Sequence, residues 1–317
     1  MSYTRLGHHY GDSRGLVVSW ATERMATVDA ETRSSADAPT ASRGRRRTTV
    51  ECQPSRSLLT RATGFLRGYQ FTLNPYSGCA FGCSYCYARF FAGSAERRDN
   101  WGDWVSAKQN APALLARACA SGRLRTGDSV YMSSVTDPYQ PAEANLRITR
   151  GLLEVLIAYG VQPRLTVQTR SPLVTRDIDL LQRIESVRVN VTISTDSDIV
   201  RRRYEPRCPS IEARFAAVEQ LAAAGVRFGV SVSPMLPIVD VEAFAERLLQ
   251  LNASTYSAQY FKPPGRWFAS GSASAALDQA VTDGWGLSEY RAARATIEKV
   301  LGGGHPLWEG ARGYGPV

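Results

Sequence analysis

Ile211-Glu-Ala-Arg-Phe215-Ala-Ala-Val218-Glu-Gln-Leu221-Ala-Ala-Ala-Gly225 runs without a break into Val226-Arg-Phe-Gly-Val-Ser-Val232. The first part sets Ile211, Phe215, Val218 and Leu221 at helical spacing, which makes one apolar face that has to be buried. Such a stripe belongs to the core and not to a cofactor site. Gly225 supplies the left-handed backbone that ends a helix, and β-branched and aromatic residues follow at once. A helix over 211–224, a glycine stop and a strand over 226–232 make one step of an alternating α/β chain.

Outward from this step the same rhythm recurs. The predicted strands are Gln70–Leu73, Ser129–Met132, Leu165–Gln168, Val187–Ile193, Val226–Val232 and Tyr256–Phe261. Helical patterns fill the gaps at Ala111–Ala120, Leu146–Tyr159, Ile178–Ile184, Ile211–Ala224 and Val241–Leu249. Parallel strands joined by single helices imply right-handed crossovers. Six units with no GxGxxG fingerprint predict a partial (β/α)6 barrel of TIM type and not a Rossmann sheet. A last helix, Leu287–Leu301, carries Tyr290, Ala293, Ile297 and Leu301 on one face for packing against the barrel's outer wall.

Residues 1–62 are rich in Ser, Thr, Ala and Arg and lack apolar periodicity. They are expected to form a mostly disordered basic leader, with Arg43-Gly-Arg-Arg-Arg47 as a solvated run. Residues 63–317 then make the barrel domain with its helical extension. The 317-residue chain has a formal charge of +9, and its only lysines are Lys108, Lys262 and Lys299. Arginine excess of this kind suits phosphate and carboxylate partners, although a general composition bias produces it too. No run approaches the length of a membrane span and no secretory signal opens the chain, which places it in the cytoplasm.

Six cysteines are too few for a disulfide scaffold, and three of them crowd into Asn74-Pro-Tyr-Ser-Gly-Cys79-Ala-Phe-Gly-Cys83-Ser-Tyr-Cys86-Tyr-Ala-Arg89. This loop follows the first predicted strand, on the face where barrels carry their chemistry. Three soft thiolates suit iron–sulfur or zinc, and a closed structural site needs a fourth ligand. Cys52, Cys119, Cys208, His8, His9 and His305 form no partner motif. A 4Fe–4S cluster with one open iron explains the count, while zinc with a distant fourth ligand stays open. Gly78 and Gly82 allow the loop to bend around a bulky group.

The CxxxCxxC loop, with Tyr85 before its last cysteine, resembles the radical SAM superfamily. Further blocks resemble its spore photoproduct lyase-related, DNA repair photolyase-like branch. They are Ser133-Ser-Val-Thr-Asp-Pro-Tyr-Gln-Pro-Ala-Glu143, Gln168-Thr-Arg-Ser-Pro-Leu-Val-Thr-Arg-Asp177, Ile193-Ser-Thr-Asp196, Tyr204-Glu-Pro206 and Asp283 to Tyr290. The resemblance implies Cys79, Cys83 and Cys86 as ligands of a 4Fe–4S cluster, S-adenosyl-L-methionine on the open iron, and a reductant such as flavodoxin or ferredoxin. Tyr85, Ser133, Ser134, Thr136, Arg170, Ser194 and Thr195 are the candidate cofactor-binding residues, with Arg170 set to pair with the methionine carboxylate. Relatives often carry lysine at that position, so Arg170 matches in charge only.

Thr175 is expected to cap the helix after Asp177. Asp137 and Glu143 are candidates for holding Arg170 or a substrate hydroxyl, or for acid–base work, and Arg201–Arg203 for an anion contact or a wet helix face. Spore photoproduct lyases place a hydrogen-donating cysteine where this chain has Ser133-Ser-Val135, and Cys208 is the one other cysteine expected near the rim. A serine O–H is too strong a bond for that transfer. Three functions follow: a radical SAM enzyme acting on a nucleic-acid lesion or nucleotide, one acting on a small biosynthetic metabolite, or a non-catalytic metal-bearing nucleic-acid binder.

Overall fold

A computed structural model describes residues 47–261 and 273–317, so the leader up to residue 46 and most of its arginine run lie outside the described residues. The strands are β1 (Thr49–Gln53), β2 (Leu59–Arg61), β3 (Phe71–Leu73), β4 (Tyr76–Gly78), β5 (Trp104–Lys108), β6 (Ser129–Met132), β7 (Arg164–Thr169), β8 (Val187–Thr192), β9 (Phe228–Val232), β10 (Tyr256–Ala258) and β11 (Leu307–Trp308). The helices are α1 (Ala95–Asp99), α2 (Ala111–Ala120), α3 (Glu143–Leu146), α4 (Ile148–Ala158), α5 (Ile178–Leu181), α6 (Asp198–Tyr204), α7 (Ile211–Ala223), α8 (Val241–Leu251), α9 (Ser274–Thr282) and α10 (Leu287–Leu301).

The main sheet runs β11-β10-β9-β8-β7-β6-β3-β2. From β3 to β10 every neighbouring pair is parallel, which gives the six-stranded α/β partial barrel that the sequence predicts. β11 extends it in parallel beside β10, and β2 lies antiparallel to β3 at the other edge. Helices cover the outer face of parallel strands, so the strands carry mostly apolar runs. Every residue of β6, β8 and β9 is accordingly buried.

Helix ends follow local chemistry. Ser210 accepts the Ala213 N–H at 3.2 Å to start α7, and Asp240 accepts the Ala243 N–H at 2.9 Å to start α8. Each satisfies a backbone donor that the first turn leaves open. Thr175 is not such a cap. Its hydroxyl donates to the Pro172 carbonyl at 3.0 Å, and Ser171 caps the turn by accepting from the Leu173 N–H at 3.3 Å. The predicted stripe of α10 is buried at Tyr290, Ala293, Ile297 and Leu301, and the helix packs on α8.

The structure corrects the leader boundary. β1 and β2 lie within residues expected to be irregular, with β1 paired in parallel to β5 over Thr49–Gln53. All five β1 residues are exposed, so no buried apolar period marks the strand, which is held by backbone pairing to β5, a Gln53 Nε2–H donated to Ser106 Oγ and the Glu51–Arg97 pair at 3.5 Å. β5 also pairs antiparallel with β4, which leads into the cysteine loop. Among the described residues no helix is long and apolar enough to cross a membrane.

Candidate active site

The C-terminal ends of the parallel strands open into a cavity of about 660 Å³. Cys79, Cys83 and Cys86 all line it, together with Tyr85, Asn74, Ser133, Ser134, Thr136 and Arg170. The cysteine loop reaches this position because β4 fixes its start against β5. A Cβ on Gly78, whose φ is +75°, would lie 2.6 Å from the Trp104 carbonyl oxygen. Gly82, φ +58°, faces Gly102 so closely that a Cβ on Gly102 would stand 2.8 Å from its Cα. No larger residue fits either place without moving the backbone. Thr136 donates to the Gly78 carbonyl at 2.6 Å, the Ala80 N–H donates to Gln140 Oε1 at 2.9 Å, and the Ser84 N–H donates to the Tyr204 carbonyl at 2.9 Å. The loop is thus tied to the segment after β6 and to α6.

Behind the thiols lies a buried charge network. Glu205 ion-pairs with Arg214, accepts from Tyr85 Oη and from Ser194 Oγ at 2.9 Å, and meets Arg170 Nη1 at 3.2 Å. Burial works to raise the Glu205 carboxyl, but Arg214 and Arg170 outweigh it and hold it at about 2. The same Arg170 nitrogen donates to Cys83 Sγ and to Tyr85 Oη, each at 2.8 Å. Cys83 Sγ also stands 3.5 Å from Cys208 Sγ. Contact with Cys208, aided by Arg170, draws the Cys83 thiol down, whereas burial pushes Cys79 up and Cys86 up to about 11.

Several expected residues sit elsewhere. Ser194 and Thr195 are fully buried and do not line the cavity, because their hydroxyls donate to Glu205 and, at 2.6 Å, to the Pro237 carbonyl. Ser134 and Thr136 line the cavity, yet Ser134 is bonded to Asn74 and Thr136 to the Gly78 carbonyl. Tyr85 lines it with its hydroxyl committed to Glu205. Asp137 holds Arg170 through the backbone, accepting its N–H at 2.9 Å, and also takes the Thr169 hydroxyl at 2.7 Å and the Tyr139 N–H at 2.9 Å. Glu143 is remote from Arg170 and pairs with Arg176 at 2.8 Å. Arg201 is not on a wet face: it is buried, pairs with Asp198 at 2.6 Å and donates to the Cys208 carbonyl at 2.8 Å, so its charge is taken up within the chain. Arg203 is exposed and pairs with Asp283. Cys208 is buried behind Cys83 and does not line the cavity, which removes it as a hydrogen donor to a bound substrate.

Sequence reasoning missed Glu205 as the network's centre, Arg214, Gln140, and the aromatic wall of Phe65, Tyr131, Tyr260 and Tyr314. Glu205 stood inside the quoted Tyr204-Glu-Pro206 block, which was the available signal. Arg214 was hidden within the helix stripe, where it is fully buried next to Phe215.

The three thiols line one cavity wall. A donor set of three soft thiolates beside an open cavity fits an iron–sulfur cluster with room for an organic ligand.

Residues 73–251, more than half of the chain, match the Radical SAM superfamily, and the chain belongs to it. Membership implies a 4Fe–4S cluster, S-adenosylmethionine and a supply of electrons. The chain is 35% identical over 176 residues to an uncharacterized protein of Methanocaldococcus jannaschii, covering 55% of this chain and 64% of that one. It is 30% identical over 179 residues to an uncharacterized protein of Mycobacterium tuberculosis, covering 53% and 50%. It also matches the radical SAM Nalpha-GlyT isomerase of Pseudomonas phage M6 at 25% identity, over 55% of this chain and 36% of that protein. The chain thus spans less than two thirds of the length of each of these relatives. Spore photoproduct lyase complexed with dinucleoside spore photoproduct superposes with a TM-score of 0.56 at 16% identity over 82% of both chains, which shows a shared fold.

Proposed function

We propose that Cys79, Cys83 and Cys86 hold the 4Fe–4S cluster and that the cavity binds S-adenosylmethionine beside a substrate whose reacting part is a nucleobase, free or in a nucleic acid. The observation that carries this reading is the meeting of all three thiols with Arg170 on the wall of one cavity at the C-terminal ends of the strands. The chemistry that the two groups supply when bound is reductive cleavage of the sulfonium to a 5′-deoxyadenosyl radical that takes a hydrogen atom from carbon.

The chain's own residues hold, orient and shield. Arg170 presents positive charge beside Cys83 and to the cavity, with Glu205 and the Asp137 contact to its backbone fixing its position. In that place it neutralises an anionic sulfur and a bound carboxylate. Aromatic rings from β6, the segment after β10 and the C-terminal segment wall the space where a radical has to be protected from water. A nucleobase suits these walls because its faces stack on aromatic rings. The dinucleoside spore photoproduct named with the lyase structure favours the same substrate class, and the arginine excess favours a phosphate-bearing one. Lyase activity itself is not carried over, because Ser133 occupies the region where a thiol is needed.

The test is 5′-deoxyadenosine production from S-adenosylmethionine under anaerobic dithionite, with and without thymidine oligonucleotides, irradiated and not. Stimulation by an oligonucleotide, with deuterium passing from labelled base into 5′-deoxyadenosine, is the expected result. Turnover that no nucleic acid or nucleoside alters overturns the substrate class and leaves the small-metabolite reading.

A further inference from the structure

The three sulfurs of the cysteine loop have unequal surroundings. Cys79 meets the backbone N–H of Phe81, and Cys86 those of Ala88 and Arg89. The described side chains that reach a sulfur of the loop are Arg170, with Nη1 at 2.8 Å, and Cys208, with Sγ at 3.5 Å, and both reach Cys83.

Both groups are held from behind. Arg170 Nη1 also meets Glu205 at 3.2 Å, and the Arg170 N–H donates to Asp137 at 2.9 Å. The Cys208 N–H donates to the Glu205 carbonyl at 3.1 Å, and the Cys208 carbonyl accepts from Arg201 Nη1 at 2.8 Å. Arg214, fully buried, joins the Glu205 carboxylate to the Pro209 carbonyl, which accepts from it at 3.1 Å. The segment that carries Cys208 is thus tied to the network that fixes Arg170.

A ligand cysteine binds as the thiolate and has no proton to give, whereas a thiol buried in the interior keeps its own. The contact between the two cysteines then has one direction, from Cys208 S–H to the Cys83 sulfur. Cys208 is 6% exposed and does not line the cavity, so a ligand in the cavity does not reach it.

We infer that Arg170 and Cys208 raise the reduction potential of the cluster by donating to Cys83. This rests on the reading of the three thiols as the cluster's ligands and is independent of the substrate. Reduction puts added negative charge on the ligand sulfurs, so hydrogen bonds and positive charge at a sulfur favour the reduced form. The low dielectric of a buried site strengthens that preference. Arg170 thereby acts on the cluster whether or not a carboxylate is bound, and Cys208 acts through Cys83 and not on a substrate.

The test is a potentiometric titration of the reconstituted chain without S-adenosylmethionine, the reduced cluster being followed by electron paramagnetic resonance. Arg170→Met removes the charged donor, and the reduction equilibrium is expected to fall about tenfold, which is about 59 mV for one electron. Cys208→Ala removes a weaker donor and alters no charge, and a fall of about threefold is expected. Arg170→Lys keeps the charge and Cys208→Ser keeps an O–H donor, so each stays closer to wild type than the corresponding truncation. Cys119→Ala, at the buried cysteine of α2, leaves the potential unchanged. A merely structural role at either position lowers the melting temperature or the iron content without ordering the potentials in this way. Equal midpoints for wild type, Arg170→Met and Cys208→Ala, with about four irons bound, overturn the inference, and so does an effect of Arg170→Met confined to S-adenosylmethionine affinity. If Arg170→Met takes up no cluster, Cys208→Ala against Cys208→Ser decides, since that pair leaves every charge in place. Wild type without a four-iron cluster overturns the assignment of the thiols themselves, and this inference with it.

Discussion

Arg170 and Glu205 meet at 3.2 Å behind the cysteine loop, where Glu205 has no solvent exposure and Arg214 pairs with its other oxygen. One carboxylate thus serves two guanidiniums from different elements, one after β7 and one in α7. The surplus positive charge lies against Cys83. The shape of the cavity's thiol wall depends on this pairing.

Removing the carboxylate leaves buried charge uncompensated, so Glu205→Ala is expected to lose about 3–5 kcal/mol of stability. Chemical unfolding of the reconstituted protein checks the size. Replacement of both Glu205 and Arg214 by apolar residues is expected to recover part of that loss.

The pH dependence has a definite sign. The Glu205 carboxyl is held at about 2 when folded against an ordinary value of 4.5. A folded value below the unfolded one stabilises the protein fully above the unfolded value, and the contribution fades as pH falls from about 4.5 toward 2. Glu205→Gln lacks this component. The stability gap between wild type and Glu205→Gln should therefore be widest near neutrality and narrow steadily in unfolding curves taken from about pH 6 to about pH 3.

Gly78→Ala drives a methyl group against the Trp104 carbonyl at 2.6 Å and forces a positive φ on alanine. A cost of about 1–3 kcal/mol and reduced iron uptake are expected, read by thermal melting and iron analysis. Gly93→Ala, where a Cβ meets nothing within 4 Å, serves as the comparison and should change stability by less than about 0.5 kcal/mol.

The barrel was readable because its strands and helices carry apolar periods that burial enforces. α2 and α10 match their expected bounds, and all six barrel strands lie where the β-prone segments predicted. The sheet of β1, β5 and β4 was not readable, because β1 has no buried face. Within the site, cysteine spacing announces Cys79, Cys83 and Cys86, since ligand chemistry leaves few other uses for three crowded thiols. Hydroxyl roles are not announced. Ser194 and Ser133 both stand just beyond strand ends, yet Ser194 turns into the Glu205 network and Ser133 Oγ is buried without a partner among the described residues. A local backbone angle and the position of Glu205, set by distant packing, make that difference.

Nucleic-acid binding carries its own signature. Contact with single-strand phosphates displaces counterions, so log affinity for a thymidine oligonucleotide should fall with log salt at a slope of about −0.7 per phosphate engaged. Filter binding across salt concentrations checks this. A flat response argues for a small uncharged substrate.

The most direct test of the thiol assignment is anaerobic iron and sulfide loading of wild type and of Cys79→Ala, Cys83→Ala and Cys86→Ala, followed by electron paramagnetic resonance of the reduced samples. Wild type should hold about four irons and four sulfides and show a reduced-cluster signal that S-adenosylmethionine perturbs, while each variant loses the signal. Full loading of all three variants, or stoichiometric zinc with no iron in wild type, would contradict the account.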